Sequence, residues 1–181
     1  MSVTVGDFLF QRLAAVGVQR VHTRSSSTIF LGSIQRSNLD FSGQPSLISP
    51  TETLCFLASS SDLLACYSDA VRFLGSRPIV IIHELDSAQF TSTTTYTSTL
   101  DFAASTILNS PMTAVSQIDR MLRALTYASK PVYIGLSLAV AGQTVSVPTL
   151  QMGWSAPTSG SSGMKGDNAS SEEIEAAEAG Q

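Results

Sequence analysis

Three short, unbroken apolar runs decide what this chain can fold into: Thr53 to Ala58 (TLCFLA), Pro78 to His83 (PIVIIH) and Pro131 to Leu138 (PVYIGLSL). A strand with one face in water alternates apolar and polar residues, so a run that is apolar throughout fits a strand buried on both faces. Such strands belong to parallel sheets, whose connections are helices laid across the sheet. The helical patterns are present. Val5 to Val16 carries Phe8, Leu9, Leu13 and Val16 on one face and Gln11 and Arg12 opposite, with Thr4 placed to cap its start and Gly17 its end. Ser61 to Leu74 reads as a second helix, capped by Ser61 and stopped by Gly75, and Val115 to Ala128 as a third through Ile118, Leu122 and Leu125. Val18 to Thr23 reads as a short strand, Ile29 to Ile34 as a weaker helix and Phe102 to Leu108 as a short helix, while Ser37 to Pro50 and Ser87 to Thr99 read as loops. The expected fold class is α/β, a parallel sheet flanked by helices on both faces.

Charge divides the chain. Residues 1–152 hold nine basic and nine acidic residues, whereas residues 153–181 hold one base and five acids. The body is therefore neutral, which argues against nucleic acid or an anionic membrane as a partner, since both select a basic surface. A hydrophobic content of 43% is enough for a core over residues 1–152. The Gly, Ser, Ala and Glu composition after that predicts a disordered C-terminal tail over residues 153–181. No secretory signal opens the sequence and no apolar run reaches membrane-spanning length, so the expected location is cytoplasmic. Cys55 and Cys66 lie in apolar stretches without metal-ligand spacing and read as buried small hydrophobes in a reducing compartment, so no metal site is expected.

Few residues carry chemistry. His22 and His83 each end a predicted strand, where α/β proteins place their ligands. No G-x-S-x-G elbow, dinucleotide fingerprint or P-loop accompanies them. Glu84 and Asp86, just after PIVIIH, are the nearest thing to paired carboxylates and read as solvated loop acids. Within the Thr- and Ser-rich run from Thr91 to Thr99, Tyr96 is the titratable group.

Three blocks resemble a known family. TVGDFLFQRLAAVGV (Thr4 to Val18) is similar to the opening helix of thiamine diphosphate-dependent 2-oxo acid decarboxylases. SDLLACYSDAVRFLGSRPIVIIHELDSAQ (Ser61 to Gln89) and DRMLRALTYASKPVYIGL (Asp119 to Leu136) resemble that family's next helix–strand units, in the same order. The resemblance covers most of residues 3–150 and is nearest to pyruvate and indolepyruvate decarboxylases. It implies that family's N-terminal domain, which holds the aminopyrimidine ring of the cofactor and is a three-layer, flavodoxin-like parallel sheet. The family's Mg2+ and diphosphate loop lies in a later domain, so thiamine diphosphate and Mg2+ are expected only if a partner chain completes the site, and no cofactor is expected for this chain alone.

The departures fall on the cofactor-facing segments. Where the family has G-V-P-G-D, this chain has His22 to Ser27 (HTRSSS), and Ala58 to Ser61 (ASSS) replaces a glycine-rich turn. The family's helix bearing the activating glutamate has no counterpart between Ile34 and Thr53; Glu52 is the acid nearest the gap, and the role is not carried over to it. The family's paired histidines fall in Thr93 to Phe102, where Tyr96, Asp101 and Phe102 echo the pattern. The resemblance therefore implies a non-catalytic pseudoenzyme or subunit that associates with a full-length decarboxylase or with itself as a homodimer. The alternative is a cofactor-free cyclase, isomerase or dehydratase in a remodelled cleft lined by Phe56, His83, Thr95 and Tyr96, with Glu84 or Asp86 as general base and His83 as its partner. Residual thiamine diphosphate-dependent decarboxylation within a complex is a third.

Overall fold

The computed structural model describes residues 2–25, 28–43, 52–73, 77–86 and 98–146. Gly75, Thr95, Tyr96 and residues 153–181 lie outside these, so the helix stop, the loop tyrosine and the tail are expectations on which the structure does not bear.

The chain opens with strand β1 (Ser2–Thr4) and helix α1 (Val5–Ala15). Thr4 caps α1 as its sequence predicts, its hydroxyl accepting from the Asp7 amide at 3.1 Å. At the other end Gly17 takes φ +91°, and the amides of Gly17 and Val18 bond back to Ala14 and Leu13 at 3.1 Å each. That double return is a Schellman stop, which a residue with a Cβ adopts only with strain. Strand β2 (Arg20–Thr23), helix α2 (Leu31–Arg36) and strand β3 (Asp40–Ser42) follow. Then come β4 (Leu54–Ala58), α3 (Leu63–Val71), β5 (Ile79–Leu85), β6 (Ala104–Leu108), α4 (Pro111–Tyr127), β7 (Val132–Ser137), α5 (Leu138–Ala141) and β8 (Thr144–Ser146).

Six strands form one parallel sheet in the order β3-β2-β4-β5-β7-β6. The first four in chain order are arranged as in flavodoxin-like folds, with a reversal of direction between β2 and β4. β1 and β8 pair antiparallel as a separate ribbon. The sheet is the middle of three layers. On one face Val21, Cys55, Leu57, Val80, Ile82, Val132, Ile134 and Leu136 pack against α1, α2 and α4; on the other Leu54, Phe56, Ala58, Ile79, Ile81 and Tyr133 pack against α3. Each fully buried Leu, Ile or Val removes enough apolar surface from water to contribute about 1.5–3 kcal/mol, which is what holds the layers together. The three apolar runs are the strands β4, β5 and β7, buried almost throughout.

The structure corrects several details. Phe102 to Leu108 is not a helix: residues 104–108 form edge strand β6, because pairing with β7 buries Thr106 and Leu108. Part of the expected loop after Ser37 is the strand β3, held parallel to β2. α4 begins at Pro111, four residues before Val115, since proline lacks only an amide that the first turn leaves unbonded anyway. α3 starts after Asp62 rather than Ser61, and Asp62 accepts from Ser59 Oγ at 2.9 Å instead of capping the helix. Arg12 is not on a solvated face: its Nε and Nη2 donate to Asp119 of α4 at 3.0 and 2.7 Å, and its side chain is 14% exposed.

No helix among the described residues is long and apolar enough to cross a membrane. Cys55 and Cys66 are buried free thiols. Burial pushes the Cys66 thiol up to about 12 and that of Cys55 higher still, which keeps both protonated.

Candidate functional site

Parallel sheets present their strand ends as a crevice where direction reverses, and ligands of such folds bind outside the carboxyl ends there. In this chain that rim is built from the ends of β2, β4, β5 and β7 and from the described residues that follow them. Its polar groups fall into two sets, one on each side of the sheet.

The first set is His83, Tyr133 and Gly135. His83 is 3% exposed, and its Nδ1 lies 2.8 Å from the Tyr133 hydroxyl. Burial raises the tyrosine and pushes the imidazole down to about 4, against an opposing pull from the Asp62 charge, so at neutral pH both partners are uncharged. A neutral pair has two tautomers. With the tyrosine donating to Nδ1, one group, the Nε2 N–H, is left over; the reverse arrangement leaves Nε2 as an unbonded acceptor and strands the tyrosine proton besides. The first is the cheaper. His83 Nε2 then carries an N–H with no partner among the described residues. Gly135 is the register partner of His83, and the space a side chain would occupy there is taken by Leu85 and the Tyr133 hydroxyl.

The second set is Glu84, Thr28 and Ser60. β5 runs two residues beyond His83, so Glu84 is not a solvated loop acid but a half-buried strand residue. The Thr28 hydroxyl donates to Glu84 Oε1, and Ser60 Oγ donates to the Glu84 backbone carbonyl at 3.4 Å. Burial raises the Glu84 carboxyl above its ordinary range, an effect that the Thr28 hydrogen bond opposes and the nearby Asp62 charge reinforces. Asp86 is exposed beyond the strand end.

His83 and Glu84 are not brought together. Adjacent strand residues point to opposite faces, so His83 joins Tyr133 on the α3 side while Glu84 meets Thr28 on the side of α1 and α2. Phe56 shares the α3 side with His83. Thr95 and Tyr96 lie outside the described residues.

His22 occupies the same face as Phe56, with ring centroids 5.7 Å apart. Its Nδ1 faces the Gly43 carbonyl at 3.2 Å, and since a carbonyl only accepts, Nδ1 bears the proton there. Nε2 is left as a buried acceptor with no described partner, and burial lowers the pKa of the ring. The loop after β2 is anchored across this face by Arg24, whose Nε donates to Asp69 of α3 at 2.9 Å. Glu52 is also buried, with Oε1 unpartnered among the described residues; it precedes β4, at the amino end of that strand, and its charge acts on His22.

Tyr133 was not singled out by its sequence, where PVYIGL reads as core. A tyrosine in an otherwise apolar strand is itself a signal, because its hydroxyl must find a partner when buried. No protein-family model and no curated protein matches the chain.

Proposed function

We propose that this chain is a pyruvate decarboxylase-like N-terminal domain that works by protein contact, as a non-catalytic subunit of a thiamine diphosphate-dependent decarboxylase in the cytoplasm. The observation that carries the reading is where its acids lie. The blocks that resemble the decarboxylases supply α1, α3 with β5, and parts of α4 and β7, yet the acid nearest the family's activating glutamate, Glu52, sits at the amino end of β4. Glu84 reaches the carboxyl rim, but on β5 and engaged by Thr28. The described residues therefore do not fit the aminopyrimidine ring, and no step is assigned to the cofactor here. Two buried, protonated thiols agree with a reducing compartment. The test is an affinity capture of the tagged full chain from its own cell extract, read by mass spectrometry. Near-stoichiometric recovery of a full-length decarboxylase is the expected result; recovery of the bait without one removes the reading.

A second reading is favoured by a different observation, the neutral His83–Tyr133 pair at the strand ends with an unpartnered Nε2. A buried neutral imidazole carrying a free N–H suits a hydrogen-bond donor to a small uncharged ligand. In that case the chain is a cofactor-free cyclase, isomerase or dehydratase. Native mass spectrometry of the purified protein then shows a bound metabolite, which His83→Ala releases; a chain that copurifies with nothing argues against it.

A further inference from the structure

β6 is the last strand of the sheet, paired with β7 on one side and with no described residue on the other. The other strands with an open edge, β1, β3 and β8, are three residues long each, and β3 begins with Asp40. β6 is five residues, ASTIL, and the sequence from 102 to 118 contains no charged residue. An open edge is a template for another strand, and natural sheets blunt it with shortness, a charge, a proline or a bulge. Among the described residues none of these devices is present on β6.

We propose that β6 is the seam of a homodimer, in which two copies pair their β6 strands antiparallel about a two-fold axis through Thr106. A second copy is the occupant because the strand complements itself in that register. Thr106 then faces Thr106, Ser105 faces Ile107 and Ala104 faces Leu108, so a small side chain meets a large one on both faces and two threonines meet at the centre. Cross-strand pairs of this kind are what stabilise an antiparallel ladder. No like charges oppose one another: the nearest charge, Asp101, lies before the strand and is held by Lys130 at 2.8 Å. Just past the strand Met112 is 92% exposed, an apolar side chain for such an interface to cover. The pairing is isologous, so it closes at two copies instead of propagating. Self-association is also among the expectations from the decarboxylase resemblance, but the seam rests on the edge of β6 and does not depend on that resemblance.

Sedimentation velocity of the full chain over about a hundredfold range of concentration tests the seam. A concentration-dependent dimer is expected, and Ser105→Lys, at a position exposed in the single copy, returns it to monomer with unchanged circular dichroism. Register is read separately by oxidation. An equimolar mixture of Ser105→Cys and Ile107→Cys chains cross-links across the seam, whereas each variant alone does so much less. A wild-type chain that stays monomeric throughout overturns the proposal. So does a dimer that survives Ser105→Lys, or a mixture that fails to cross-link.

Discussion

Gly135 stands directly across the β5–β7 ladder from His83, and it is the residue that lets Tyr133 reach the imidazole. A Cβ built at position 135 falls 2.7 Å from Leu85 Cδ1, 3.2 Å from the Tyr133 hydroxyl and 3.3 Å from Ile107 Cγ1. Leu85 is fully buried and has nowhere to retreat without disturbing its neighbours. Gly135→Ala is therefore expected to cost about 1–3 kcal/mol, the usual penalty for overpacking a filled core. Urea unfolding measures it; a variant as stable as the parent contradicts the packing described for this rim.

Acid destabilises the fold through its histidines. His83 has an ordinary pKa of 6.5 and a folded value of about 4, and His22 is also lowered. Between those values the unfolded chain binds protons that the folded chain refuses, so stability is full above pH 6.5 and falls as the pH drops towards 4. The slope is at most about 1.4 kcal/mol per pH unit for each histidine. Glu84 works in the opposite sense, since its raised carboxyl takes up a proton more readily when folded. In His83→Gln the dependence between pH 6 and 4 is expected to weaken, checked by thermal melts across that range.

Thr28 and Glu84 give a paired test. Thr28→Val removes the hydroxyl that donates to the carboxylate and is expected to cost about 1–2 kcal/mol at neutral pH, because a half-buried charge loses its partner. Glu84→Gln removes the charge itself. It is expected to gain stability at pH 7 and to lose that advantage at pH 4, where the parent carboxyl is increasingly protonated. A Glu84→Gln chain less stable than the parent at both pH values sinks this account.

Arg12 ties α1 to α4 through Asp119, with both side chains largely covered. An ion pair of this exposure lies between the surface and buried limits, and a coupling of about 1 kcal/mol is expected in a double-mutant cycle of Arg12→Met and Asp119→Asn. The coupling should shrink only modestly in high salt, since partly covered pairs are poorly screened.

The buried strands were legible because their runs are rich in β-branched and large apolar residues and are flanked by proline or polar residues, unlike the alanine-rich run Leu13 to Val18 that ends α1. β6 was not, because its run of small residues, Ala103, Ala104 and Ser105, is as acceptable in a helix as in a strand; its alternating burial comes from β7, which lies far along the chain. The apolar run ends β5 two residues early for a similar reason. Glu84 looks like the start of a loop until the ladder to Leu136 is known. That placement had a consequence for the site, since once Glu84 belongs to the strand it must point away from His83. Tyr133 was hidden by its neighbours in an apolar run, whereas His83 was visible as the polar residue that ended one.

The order of the sheet also bears on how the molecule comes to be made. β7 is the last of the six parallel strands to leave the ribosome, yet it lies between β5 and β6. Until Val132 to Ser137 is available, β6 has no described neighbour in the sheet and β5 shows a bare flank of backbone donors and acceptors. The nascent chain can thus assemble β3, β2, β4 and β5 early, but the far side of the sheet waits for one late strand to be threaded into place. A chain that lacks β7 therefore holds a four-stranded half-sheet whose β5 edge stays bare until that strand arrives.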